Sequence, residues 1–251
     1  MSPSTNAVLT AIAVVLIAAF AVFVIIAGVR QHKRTQEQRA AVASDLGLTL
    51  NDKPTKEEKA AAFERRDHLK RTLSGGWKNV RRIATAEHRG IPVQMLMHTY
   101  TTSNGKSSST ITHTVVTTQC PPAWPTLGIG REHFGHRILE AFGGSKDLQL
   151  DDNVFNETFR IRTDDEVFAT LALSPAVQGF LLEITKRGPG AKSATRPSIR
   201  LSREQWSIAS GGLTLLVAGR VKPEEIEHVL DRVVNFRALL PRELDAYTPG
   251  V

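Results

Sequence analysis

The longest pattern in the chain is a run from Ala7 to Val29 that is apolar at every position except Thr10 and Gly28. A bilayer core of about 30 Å takes about 20 helical residues at about 1.5 Å each. In hydrocarbon a lone segment must satisfy its own backbone hydrogen bonds, which only a helix does. The run therefore predicts one N-terminal transmembrane helix. A cleaved signal peptide fits less well. Met1 to Asn6 contains no Lys or Arg, and the A-x-A match Ala19-Phe20-Ala21 lies inside the run, where cleavage would strand Val22 to Val29.

Beyond the anchor the pattern changes period. Gln31 to Ala43 continues as helix and breaks near Asp45-Leu46-Gly47. Thr55 with Glu58 fits a capping box and opens a helix running to about Leu73, closed by Ser74-Gly75-Gly76. The apolar content of that helix is thin (Ala60, Phe63, Leu69), which reads as a surface helix or spacer. Val80–His88, Ile91–Thr101 and the Thr/Val-rich Ile111–Thr118 read as strands, joined at Arg89-Gly90 and at Ser103–Ser107. A helix is expected over Arg131–Phe142 and short strands around Leu148 and Phe159–Arg162, the latter drawn back to Phe155 where its flanking acid pairs are weighed. Helical pieces follow over Val167–Leu173 and from Pro175 to Ile184. Arg203–Ala209 and Leu213–Val217 form a hairpin, and Pro223–Leu240 is a helix with Ile226, Val229, Leu230, Val233 and Leu240 on one stripe.

These elements predict an α+β fold: a single N-terminal transmembrane helix followed by a soluble domain with an antiparallel sheet and packed helices. The divisions are residues 1–29 for the N-terminal segment and anchor, 30–74 for a basic juxtamembrane helical linker, and 75–251 for the domain.

Charge adds an orientation. The chain is net +7, and residues 30–89 hold 15 Lys/Arg against 8 Asp/Glu, while residues 90–251 hold 17 against 17. Arg30, Lys33, Arg34 and Arg39 follow the span and no basic side chain precedes it. The positive-inside rule then puts the N-terminus outside and the domain in the cytoplasm. The lone Cys120 suits a reducing compartment. The same four basic residues are candidates to face anionic lipid headgroups, each worth about 1 kcal/mol near the leaflet. The alternative for them is a solvated positive-inside flank. Nucleic acid fits poorly as a partner, because the basic stretch has no recognised motif and little aromatic interleaving.

The chemistry is sparse. His133 and His136 are spaced to share a helix face, but a zinc site needs further ligands and no complete set is present. His98 and His113 fall on adjoining strands and can oppose each other as a pH-sensitive pair, although a solvent-facing position is the ordinary one. Gly188–Ser193 lacks phosphate-loop spacing, and no G-x-S-x-G elbow occurs. Asp151-Asp152 and Asp164-Asp165 fit turns and caps, with Arg160 and Arg162 between them as partners. No cofactor is implied. Two functions follow: a non-catalytic binding or scaffold module that holds a protein or lipid partner at the cytoplasmic membrane face, or a membrane-tethered enzyme with a site built from dispersed His and Asp residues.

Val154-Phe155-Asn156-Glu157-Thr158-Phe159-Arg160-Ile161-Arg162, then Asp164-Asp165, Phe168-Ala169 and Leu173-Ser174-Pro175, resemble the core of a family of N-terminally membrane-anchored bacterial proteins. The family pattern is F-x-x-x-F-x-[VI], a following Asp and L-[ST]-P. Arg89–Val93 and Tyr100–Thr102 are also similar, and the resemblance spans roughly residues 75–240 plus the anchor. The chain departs at His98, where the pattern would carry an acidic residue. The resemblance implies membrane attachment and a shared domain, and no activity.

Overall fold

The computed structural model describes residues 30–31, 33–63, 69, 73, 76–131, 146–186 and 204–249. The expected span over 7–29, the His133/His136 helix and the 188–197 loop lie outside the described residues. Among the described residues no single helix is long and apolar enough to cross a membrane. The chain divides into two compact units, residues 1–42 and 43–251. In the first, residues 33–42 are helical, and Lys33 meets Glu37 at 3.9 Å across one turn.

The second unit is built on one nine-stranded antiparallel sheet. Its strands are β1 (Thr49–Asn51), β2 (Val80–His88), β3 (Ile91–Ser103), β4 (Ser108–Gln119), β5 (Leu127–Arg131), β6 (Lys146–Leu148), β7 (Phe159–Thr163), β8 (Glu204–Ala209) and β9 (Gly212–Ala218). The spatial order is β1-β2-β3-β4-β9-β8-β5-β7-β6. Among the described residues five α-helices accompany it: α1 (Lys56–Phe63), α2 (Asn153–Thr158), α3 (Glu166–Ala172), α4 (Pro175–Lys186) and α5 (Ile226–Leu239). The α+β class with an antiparallel sheet is therefore as expected.

Alternation decides the layers. Ile83, Leu96, Val115 and Leu216 are paired in one rung across four strands, and all are buried with Phe63, Leu69 and Leu73 in a single cluster. The next rung, Ala84, Met95, Val116, Leu215 and Trp206, points to the opposite face. There α5 packs, with Phe236 set edge-on to Trp206 at 4.8 Å between ring centroids. The α5 stripe is the expected one, since Ile226, Val229, Leu230 and Val233 are all buried.

Tight turns fix the hairpins. Arg89 and Gly90 have φ of 52° and 77°, and Ser210 and Gly211 have 50° and 76°, as two-residue hairpins require. At Gly211 an added Cβ would sit 3.3 Å from Pro122 Cα, so space as well as backbone conformation selects glycine.

Two sequence readings need correction. The helix opening at Thr55 is no spacer. Its capping box is formed, with Thr55 N–H donating to Glu58 Oε2 at 2.7 Å and Glu58 N–H to Thr55 Oγ1 at 3.2 Å. Phe63 at its end is 0% exposed, and β1 before it pairs with β2. Ala62, Leu69 and Leu73 are buried in the same cluster as Phe63. The second correction is local. Phe155 lies in helix α2 and not in a strand, because Asp152 caps residues 153–158 by accepting from Phe155 N–H at 3.1 Å. The strand starts only at Phe159, whose ring lies 4.8 Å from that of Phe155.

Truncating Phe63 tests the first correction. Phe63→Ala should cost about 3 to 5 kcal/mol, the range for a fully buried aromatic, in urea unfolding followed by circular dichroism. A loss below about 1 kcal/mol is the surface-substitution outcome and would return α1 to the role of spacer.

Candidate functional site

The register of β3 on β4 places His98 directly opposite His113. The expectation that both face solvent does not hold. His98 is 0% exposed, and its Nε2–H donates to the Gly76 carbonyl at 3.1 Å. The ring lies 6.5 Å from Phe63 and 5.7 Å from Tyr100, and Tyr100 stacks on His113 at 6.0 Å. Burial pushes the His113 imidazole below its ordinary value. His98 is thus packed between the sheet and the residues leading into β2, and His113 beside it is half-buried.

The acid pairs sit elsewhere. Asp165 caps α3 by accepting from Phe168 N–H at 2.9 Å and also accepts from the Tyr247 hydroxyl at 2.7 Å. Asp164 accepts from Thr126 N–H at 2.7 Å. Arg160 and Arg162 pair with Asp147 on β6 instead of these acids. Strands β9, β8 and β5 separate β4 from β7, roughly 19 Å at about 4.8 Å per strand. The histidine pair and the acids therefore do not converge. Arg30, Lys33 and Arg34 are exposed on the first unit's helix, and Arg39 is half-buried.

Two polar features were not singled out in the sequence. Glu204, at the start of β8, is 7% exposed and paired with Arg232 of α5. Burial pushes its carboxyl up to about 7, against the opposing pull of Arg232 and Arg131. An open cleft of about 380 Å³ lies where the turn into β3 meets the end of α5. Ile91, Pro92 and Leu240 form its apolar wall, and Arg237, Arg242 and Asp245 its rim. Arg237 lies over the Trp124 ring at 5.2 Å and meets Asp245 at 3.4 Å. The sequence signal for this rim is faint: two arginines flanking the Leu240-Pro241 helix stop. Buried Cys120, sensed by Arg237 and Asp245, has its thiol pushed up to about 11 by burial, too high for a nucleophile. Among the described residues no group of three or more His, Cys, Asp or Glu is placed to hold a metal ion.

No protein-family model matches the chain, and no curated protein does. One solved structure is similar. It is the crystal structure of the mycobacterial trehalose monomycolate transport factor A, TtfA, with a TM-score of 0.51 and 11% identity over 86% of this chain and 96% of that one. At that identity the likeness is one of fold.

The buried ionisable groups predict a divided pH response. Between its ordinary 4.5 and about 7, native Glu204 holds a proton that the unfolded chain has released, so its contribution to stability falls as pH rises through that window. His113 acts oppositely. Its native form resists protonation, so stability is lost as pH falls below the unfolded value of 6.5. Urea titrations at pH 5 and pH 7.5 should show Glu204→Gln gaining on the natural protein at the higher pH. His113→Gln should flatten the acid side. Parallel curves for all three proteins would remove both assignments.

Proposed function

We propose that this protein is a non-catalytic, membrane-associated module serving a transport process. The observation that carries the reading is the fold likeness to a transport factor over most of both chains. The sequence supports it independently through the apolar run at 7–29 and the basic excess that follows it. On this reading the chain is a single-pass protein with its N-terminus outside and its domain in the cytoplasm. Arg30, Lys33, Arg34 and Arg39 then lie near anionic headgroups, and the domain holds a protein or lipid partner of the transport step. We also place it with the membrane-anchored bacterial family that its Phe155–Pro175 core resembles. The enzymatic alternative draws little from the geometry, since His98 is buried, Asp152 and Asp165 cap helices, Asp164 holds the Thr126 N–H, and the histidine pair and the acids do not converge.

Topology tests the location. Cys120 is buried with a raised thiol pKa and should stay silent to maleimide in the folded protein. Ser107→Cys adds an exposed thiol at the β3–β4 tip. A membrane-impermeant maleimide should label it only after cells are permeabilised, and deleting residues 7–29 should move the protein to the soluble fraction. Labelling of intact cells would reverse the orientation. Transport tests the role. Cells depleted of the protein should retain a lipid cargo on the cytoplasmic side, and a His113→Gln, Asp164→Asn variant should restore its delivery. Failure of that variant to restore delivery while it remains folded would favour an enzyme.

A further inference from the structure

The cleft at the end of α5 carries one guanidinium that the fold leaves unused. Arg237, Arg242 and Asp245 line it, two positive charges against one negative, so its lining is net +1. Glu243, next in the chain, does not line it. The excess is local, because residues 90–251 hold 17 Lys/Arg against 17 Asp/Glu.

The two arginines are not equivalent. Arg237 is engaged by Asp245 at 3.4 Å and by the Trp124 ring at 5.2 Å. Arg242 is exposed, and its side chain meets no partner among the described residues. Its backbone is nevertheless fixed. Arg242 opens the 3₁₀ turn Arg242–Ala246, in which Leu244 is 0% exposed. The Leu244 carbonyl accepts from Trp124 Nε1–H at 2.6 Å, and Leu244 N–H donates to the Pro241 carbonyl at 3.1 Å. The strand side is held too, since the Thr118 hydroxyl donates to the Pro92 carbonyl at 2.8 Å. A placed guanidinium thus stands beside an apolar wall of Ile91, Pro92, Ala238 and Leu240.

Charge and size together choose an occupant. A guanidinium fork matches a carboxylate through two parallel hydrogen bonds. The apolar wall is covered at a gain only by an apolar body attached to that head. A lining of net +1 suits a monoanion, whereas a phosphate monoester brings between one and two charges. The volume of about 380 Å³ falls within the small-molecule range of about 300 to 1,000 Å³. A stable protein partner needs about 800 Å² from each side, which four apolar side chains do not supply.

We propose that this cleft binds a carboxylate amphiphile with a single alkyl chain, its head on Arg242 and its chain along Ile91, Pro92 and Leu240. The inference rests on the membrane-associated transport reading and narrows its lipid partner to this chemistry.

The test uses the full chain in nanodiscs of zwitterionic phosphatidylcholine, which offer no anionic lipid to compete. A fatty acid carrying a diazirine on its chain is photolysed, and peptide mass spectrometry locates the adduct. Adducts should fall on the peptides holding Ile91-Pro92 and Leu240. Octanoate should suppress them, while octanol and inorganic phosphate should each be about tenfold or more weaker as competitors, since each lacks one half of the match. Arg242→Glu should lower cleft labelling about tenfold or more. Arg242→Lys should retain part of it, because the charge stays and the fork is lost. Lys106→Glu, at the exposed β3–β4 tip, should label like the natural protein. Arg242 is exposed, and unchanged circular dichroism would show that its variants are folded. Adducts outside the cleft, or cleft labelling indifferent to Arg242→Glu, would overturn the proposal. So would octanol competing as well as octanoate, the mark of an apolar patch alone, or phosphate doing so, the mark of a bare anion site. Cleft labelling in a protein whose depletion leaves lipid delivery unchanged would keep the site and remove the transport role. Impaired delivery on depletion with an unlabelled cleft would remove the site alone.

Discussion

The rest of the domain depends on the register of β3 against β4, which runs unbroken from Val93–Thr118 to Ser103–Ser108. In a sheet, side chains alternate, so a slip of one residue would move every buried side chain to the wrong face. The observed register sends Leu96 and Val115 towards Phe63, and Met95 and Val116 towards the α5 side. It also sets His98 against His113. Two sandwiched layers and a buried histidine thus follow from one pairing. The hairpins β2–β3 and β8–β9 then copy that register outward through their two-residue turns.

The elements legible in the sequence were those encoded locally. The capping box at Thr55–Glu58, the turns at Arg89-Gly90 and Ser210-Gly211, and the α5 stripe each rest on residues a few positions apart. The antiparallel α+β class followed from them. What escaped was long-range. Burial of Phe63 depends on Leu96, Val115 and Leu216, and the last of these is far along the chain. No periodicity in an eight-residue helix reports such a contact. Phe155 escaped for a different reason. Residues 155, 159 and 161 fit both a strand and a helix leading into a strand, and the cap from Asp152 decides between them.

The candidate chemistry divides in the same way. That His98 and His113 share a hairpin was readable, but which face they take was not. That face is the one Phe63 covers, so His98 is packed instead of wet and His113 is half-buried. Its polar needs are met in part by the Gly76 carbonyl. Glu204 and Arg232 show the converse. Neither stands out in sequence, yet the folding of α5 over β8 buries the carboxylate beside the guanidinium. Removing Glu204 alone would leave the largely buried Arg232 guanidinium without this partner, which carries a desolvation cost.

This distribution of polar groups bears on function more directly than any single residue does. An enzyme concentrates titratable groups whose environments are tuned for chemistry in one accessible pocket. Here those groups are spread across the fold and engaged in holding it together: Asp152 and Asp165 at helix starts, Asp164 on the Thr126 N–H, His98 under Phe63 and Glu204 under α5. What is left for partners is surface. The arginine-rimmed cleft at the end of α5 is an open, charged surface among the described residues. A fold preserved at 11% identity constrains layers and register far more than side-chain chemistry. Differences between chains that share the fold should therefore fall on exposed positions, where side chains change without disturbing the register that holds the sheet.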